Sequence, residues 1–488
     1  MRSINTFHRE NKLKSKLTLW LIIASSFVAS SCGTNTPQTA ATNQIEKSQI
    51  LSQWVVIGEQ GLATARAITY SQRCPELNQD GVAAIMQIRA APATIPQRHV
   101  ATGNAAVSSD KASEFPVLTC EAPLKPGVMS ASIAGRSLPL PKPEPLRILV
   151  LGDTGCRLKA EGNAFQSCND PDKWAFPTVA KKAAGFAPDL VIHVGDYQYR
   201  ESPCPENVRA CADSPWGYGW DTWQADFFTP AAPLLAAAPW VMARGNHESC
   251  ARAGQGWWRF LDPRVLQSGR DCNVDADDAQ GDYSAPYAVP LGGGMQLIVF
   301  DSSRAAGKPI AKNDPAYATY LQEFNQVDAF AQQAEFSIFI EHHPILGFAP
   351  EKGKAGGVEV RPGNQALQSV LQDIHPQRLF DPNVQLLLAG HVHLFEAITF
   401  DSDHPMQIVS GNGGSSPDVD LPASLPLHAT PFAKASVGYF NSTSQSGFMT
   451  MERESAVSSE WVLKAWDKNG VLQTACIVSK LKKTCSKL

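Results

Sequence analysis

The chain has 488 residues, 43% of them hydrophobic, and its 42 basic and 46 acidic side chains leave a formal charge of −4. That length exceeds one ordinary domain and suggests two or three. The balanced charge excludes the basic field of a nucleic-acid surface; no internal apolar run is long enough for a membrane span, and no period marks a repeat fold.

Residues 1–31 read as an export signal. Arg2, Arg9, Lys12, Lys14 and Lys16 form the positive region, Leu17 to Val28 the apolar one, and Ala29-Ser30-Ser31 the small residues of a cleavage site. Small residues running into Cys32 resemble the lipobox of a bacterial lipoprotein, where that cysteine is lipidated. Ala29 stands where leucine is most usual, and plain secretion is the alternative. Both readings place the protein in or beyond a bacterial cell envelope, facing the periplasm or exterior, and the lipoprotein reading adds a membrane contact through the lipid anchor. Of the 11 cysteines, setting Cys32 aside leaves an even ten, which in an exported chain suggests disulfides. Sequential pairing joins Cys74 with Cys120, Cys156 with Cys168, Cys204 with Cys211, Cys250 with Cys272 and Cys476 with Cys485. No Cys-x-x-Cys pair supports structural zinc instead.

Residues 32–48 are polar and read as a flexible tether. Residues 49–137 carry short strand signals between turns, among them Ala65–Tyr70, Val82–Arg89 and Phe115–Cys120, which predicts a small all-β domain. Leu138-Pro-Leu-Pro-Lys-Pro-Glu-Pro145 is an extended linker over 138–145. Residues 146–488 then alternate strands with helices. Strands are expected at Leu146–Gly152, Asp189–Gly195, Trp240–Arg244, Gln296–Phe300, Phe336–Ile340 and Leu386–Ala389. Helical stretches are expected at Trp174–Gly185, Asp221–Phe228 and Pro315–Ala334. Alternation of this kind argues an α/β layered domain. Strands return in the tail, with a hairpin from Trp461 to Ser479 turning on Asp467-Lys-Asn-Gly470.

Five of the expected strands end in residues suited to metals. They are Gly152-Asp153-Thr154-Gly155, Gly195-Asp196-Tyr197-Gln198-Tyr199, Gly245-Asn246-His247-Glu248, Glu341-His342-His343-Pro344 and Gly390-His391-Val392-His393. One Gly-Asp is an ordinary turn signal, but five such clusters at strand ends point to a shared site. The set resembles the calcineurin-like metallophosphoesterase superfamily over about 146–470, and is most similar to purple acid phosphatases. Four blocks match that family's pattern, and the fourth departs only in having Phe339 where valine is usual before His342.

The resemblance implies a layered β-sandwich flanked by helices. It also implies that Asp153, Tyr199 and His393 bind one metal, Asn246, His342 and His391 the second, and that Asp196 bridges them. A phenolate suits Fe(III); imidazole and carboxamide suit divalent Fe, Zn or Mn. Two cations roughly 3.5–4 Å apart can hold a phosphoryl oxygen and the attacking hydroxide together. His247 is then the acid that steadies or protonates the leaving oxygen. His343 competes with His342 for the ligand role, and Tyr197 stands beside Tyr199 as a wall aromatic. His193, inside an apolar strand, reads as a core histidine. Arg244 and the aromatics Trp216, Tyr218, Trp220, Trp257 and Trp258 are candidates for lining a pocket, although core packing suits most of the tryptophans. The expected substrate is a small phosphate monoester. A phosphodiesterase is the enzymatic alternative, and a non-catalytic metal- or phosphate-binding envelope protein the other.

Overall fold

The computed structural model describes residues 49–96, 111–353 and 356–487. The expected signal, Cys32 and the tether lie outside the described residues. Two large mixed sheets carry the fold.

The first sheet has 11 strands. Its centre is parallel: β1 (Ile50–Ile57), β5 (Arg147–Leu151), β6 (Leu190–His193) and β7 (Trp240–Met242) run the same way. Antiparallel strands β2 (Ala63–Thr69), β4 (Leu118–Pro123) and β3 (Gln87–Ala90) extend it beyond β1. On the other side, β15 (Gly447–Glu452) pairs antiparallel with β5 and leads into β16 (Trp461–Asp467), β17 (Leu472–Val478) and β18 (Lys483–Lys487). The β16–β17 pair is the hairpin foreseen around Gly470. Residues 49–137 contain the expected strands, and β1 joins them to this sheet through its parallel bridge from Val56 to Trp240.

The second sheet has 7 strands, in the order β8-β9-β10-β11-β13-β12-β14. They are β8 (Tyr287–Gly292), β9 (Met295–Val299), β10 (Phe336–Ile340), β11 (Val384–Ala389), β12 (Phe395–Phe400), β13 (Met406–Ser410) and β14 (Val437–Thr443).

Alternate side chains explain the layers. Ile148, Val150, Ile192 and Val241 of the first sheet share one buried cluster with Leu297, Ile338, Ile340, Leu386 and Leu388 of the second. The opposite faces pack on helices. Leu149, Leu151 and Val191 meet α1 (Phe176–Ala184) and α2 (Thr229–Leu235). Ile298, Phe339 and Leu387 meet α3 (Pro315–Ala331) and α4 (Gln365–Ile374). With both faces covered, the strands are apolar throughout, as parallel strands usually are.

The registers set the carboxyl ends side by side. Leu151 pairs with His193 and His193 with Met242, while Val299 pairs with Ile340 and Ile340 with Leu388. All five sequential disulfides form as expected. No helix among the described residues is long and apolar enough to cross a membrane.

Candidate metal centre

The five clusters meet at that common edge. The turns that carry them are tight: Asp153, Asp196 and His391 all have left-handed backbones, with φ of 56°, 60° and 69°. Such conformations are uncommon for residues with a Cβ and persist where the surroundings over-determine them. The preceding glycines permit the crowding. A Cβ on Gly245 would stand 2.1 Å from Asp196 Oδ1, and one on Gly390 2.4 Å from Asp153 Oδ2.

Buried carboxylates brace the first-sheet loops. Glu248 accepts main-chain N–H groups from Asp196 (3.1 Å), Tyr197 (2.9 Å) and Gly245 (3.1 Å), so it ties two ligand loops together. Asp226 accepts from Cys156 N (3.1 Å) and Tyr199 N (2.8 Å) and is paired with buried Arg200.

At the centre, the Tyr199 hydroxyl lies 2.9 Å from Asp153 Oδ1, 2.8 Å from Asp196 Oδ2 and 2.8 Å from His393 Nε2. Next to it, Asn246 Oδ1 lies 3.0 Å from His342 Nε2 and 2.9 Å from His391 Nδ1. Asp196 belongs to both groups, because its Oδ2 is also 3.1 Å from His342 Nε2. All seven residues expected from the sequence are thus brought together, and Asp196, His342 and His391 form a cluster able to hold a metal ion. His391 is the exposed member.

Whether this set suits cations can be judged from its protons. The phenol has one hydrogen and three polar partners. His342 Nδ1 lies 2.9 Å from Val194 O and His393 Nδ1 2.7 Å from Ser416 O. Each carbonyl accepts only from a protonated Nδ1, which leaves Nε2 of both rings turned toward the carboxyl groups, where it would bind a cation on giving up its proton. The centre gathers the oxygens of Asp153, Asp196, Tyr199 and Asn246 with the ring nitrogens of His342, His391 and His393. Two cations fit it.

Without cations, the imidazoles balance the buried carboxylates. Burial, reinforced by Asp153 and Asp196, pushes the Tyr199 phenol well above its usual range. Burial alone would raise Asp196, but His342 and His247 hold it well below the usual carboxylate range. Burial opposes charge on His342, yet Asp196 raises its ring to about 9.

His247 is buried beside these groups, its ring 3.8 Å from that of Tyr199 between centroids. Its Nδ1 lies 3.1 Å from Gln198 O and 3.2 Å from Glu201 Oε1, and its Nε2 is 3.9 Å from Asp196 Oδ2. Burial and the adjacent Arg252 guanidinium lower its pKa to about 4. The sequence reading missed Glu201 and Arg252. Both stand in the flanks of recognised blocks, and no fixed spacing marked them.

The alternatives separate cleanly. Tyr197 is buried but gives its hydroxyl to Ala243 O at 2.9 Å, away from the cluster. His343 contacts Ser302 Oγ through Nδ1 at 3.2 Å and packs its ring on His391. His193 is a satisfied core ring, 3.1 Å from Thr154 Oγ1 and stacked on Tyr197. Arg244 turns inward to Glu248 O (2.8 Å) and Asp301 (3.4 Å) and does not join the donors. Trp220, Trp257 and Trp258 belong to the core.

Comparison with known proteins agrees with this geometry. The calcineurin-like phosphoesterase family model matches residues 146–395, just over half the chain. Among curated proteins, the chain is 24% identical over 282 residues to the probable inactive purple acid phosphatase 27 of Arabidopsis thaliana, covering 55% of this chain and 39% of that protein. It is 25% identical over 292 residues to a nucleotide pyrophosphatase/phosphodiesterase of Hordeum vulgare, covering 55% of this chain and 68% of that one. Among solved structures, the purple acid phosphatase PPD1 from yellow lupin (Lupinus luteus) seeds aligns with a TM-score of 0.51 at 15% identity, covering 88% of this chain and 74% of that one. That likeness is one of fold.

Proposed function

Given that this chain belongs to the calcineurin-like phosphoesterase family, we propose that it is an exported dinuclear-metal phosphatase acting on phosphate monoesters. The observation that carries the reading is the Tyr199 hydroxyl, a single-proton group with three polar partners within 2.9 Å. In this assignment Asp153, Tyr199 and His393 hold one metal, preferably Fe(III). Asn246, His342 and His391 hold a divalent Fe, Zn or Mn, and Asp196 bridges. When bound, the two cations supply Lewis-acid stabilisation of phosphoryl charge and a nucleophile at moderate pH.

The chain's own groups do the rest. Asp196 lowers the repulsion between the two positive sites. Gln198 O and Glu201 hold the His247 ring through Nδ1, with Nε2 between Arg252 Nη2 at 2.7 Å and Asp196 Oδ2 at 3.9 Å. A bound phosphate dianion beside that ring opposes the depression of its pKa, and the ring then holds a proton for the departing alcohol oxygen. The ten paired cysteines suit an oxidising compartment, and Cys32 is the residue assigned to a lipid anchor.

Metal analysis of the purified protein, run alongside hydrolysis of an aryl phosphate and a bis-aryl phosphodiester, tests the proposal. Two metals per chain and faster monoester cleavage are expected. Two metals with neither activity would overturn the enzymatic reading. Faster diester cleavage would favour the second reading, a phosphodiesterase, which the name of the barley relative supports.

A further inference from the structure

Two arginines flank the centre, and they differ in how their donors are used. Arg252 gives Nε to Glu201 Oε1 at 2.7 Å and Nη1 to Asn246 O at 3.3 Å, and its Nη2 also meets Glu201. Its fork is spent on the protein. Arg157 is different. Its Nε is buried without a hydrogen-bond partner, and it forms no ion pair among the described residues. Its guanidinium carbon stands 5.7 Å from the centre of the Tyr199 ring, on the side of the site built by Asp153, Tyr199 and His393.

The residue is also held in place. Arg157 N donates to Gln166 Oε1 at 3.0 Å, Gln166 N returns a bond to Arg157 O at 2.8 Å, and Leu158 N donates to Tyr199 O at 3.0 Å. The neighbouring Cys156 is fixed to Cys168 by a disulfide. A guanidinium with an unused buried N–H, carried on a fixed main chain beside the proposed metal centre, is a donor suited to an anion. Its planar fork matches phosphate oxygens.

We propose that Arg157 binds a non-bridging oxygen of the substrate phosphate and thereby favours monoesters over diesters. This rests on the phosphatase reading above. A monoester carries two negative charges and keeps a free oxygen for the guanidinium once the others are engaged. A diester carries one charge and places a second alcohol group where that oxygen would be.

The test uses metal-loaded wild type, Arg157→Gln and Arg157→Lys, with unchanged melting temperature and metal content as the entry condition. If Arg157→Gln fails that condition, Arg157→Lys carries the comparison. Three quantities are measured: KM and kcat for an aryl phosphate, the same for a bis-aryl diester, and calorimetric binding of inorganic phosphate. Arg157→Gln is expected to lower monoester kcat/KM roughly 10- to 100-fold, mainly through KM, and to weaken phosphate binding by a similar factor. Diester kcat/KM is expected to change by less than about threefold, and Arg157→Lys to fall between. Equal losses for both esters, or unaltered phosphate binding, would overturn the inference. The calorimetric arm needs no turnover, so a wild type without esterase activity sinks the phosphatase reading while Arg157 is still judged.

Discussion

The two sheets contribute to one centre in different chemical terms. The first supplies oxygen donors, Asp153, Asp196, Tyr199 and Asn246, whereas the second supplies only imidazoles, His342, His391 and His393. Their supports differ as well. Glu248 and Asp226 hold the oxygen-bearing loops with buried side-chain carboxylates. Main-chain carbonyls of Val194 and Ser416 orient two of the imidazoles, while Asp418 and Ser302 accept the main-chain N–H groups of His393 (2.9 Å) and His342 (3.1 Å). Both sides use side-chain acceptors of main-chain N–H, but only Glu248 gathers two donor-bearing loops at once, and only the imidazoles have their tautomers set by main-chain carbonyls. The oxygen side should therefore be the more sensitive to loss of a single supporting side chain, Glu248.

The largest expected effect strikes the oxygen side directly. Tyr199→Phe removes the hydroxyl proposed to bind Fe(III), so protein prepared with iron should lose the visible charge-transfer band expected of that assignment and roughly 100-fold in rate. Tyr197→Phe should leave the band in place, since that hydroxyl is committed to Ala243 O. Absorption spectra of the two variants decide the matter, and a band that survives Tyr199→Phe would break the division of roles between the sheets.

A smaller effect is expected from the supports. Glu248→Gln exchanges one acceptor oxygen for a donor facing main-chain N–H groups. Metal affinity, measured by chelator competition, should fall about 10-fold or more. Ser416→Ala keeps the carbonyl that orients His393 and should alter affinity less than about twofold. Equal losses would remove the distinction between the two kinds of support.

The smallest effect concerns a carboxyl on the second sheet that serves a loop and not a metal ligand. Glu396 accepts from Phe348 N at 3.1 Å, and burial raises its pKa from the ordinary 4.5 to about 8. Between those values the folded protein keeps a proton that the unfolded chain releases. Stability is therefore whole below pH 4.5 and declines as pH rises, by at most about 1.4 kcal/mol per unit, levelling off above pH 8. Glu396→Gln should flatten this part of the melting-temperature profile. A slope identical to wild type would show that Glu396 is not its source.

Much of this architecture was legible from local pattern. Apolar runs such as Leu386–Leu388 marked buried strands, and the glycines behind them marked turns. The five short blocks marked the strand ends that meet at the centre, while the choice of donors within them came from the resemblance to purple acid phosphatases. Sequential pairing of near-neighbour cysteines also held, because short loops close easily. Boundaries were less exact: the strand expected at Trp240–Arg244 ends at Met242, since Gly245 begins the turn early. The α4 helix went unnoticed despite Asn364, whose side chain caps it.

What only the tertiary structure decided was relation across distance. Apart from the resemblance, nothing in the residues told Tyr199 from Tyr197, which share a loop. Two residues apart, they would share one side of an extended strand, and which of them meets Asp153 depends on how their loop folds where β5 lies against β6. Arg244 looked suited to phosphate from its place before Gly245, yet its partners Asp301 and Gly281 come from elsewhere in the chain and draw it inward. Glu201, Arg252 and Arg157 have no motif of their own. Their roles arise because strand registers bring together loops distant in the chain, and the sequence by itself sets residue types and turns but not those registers.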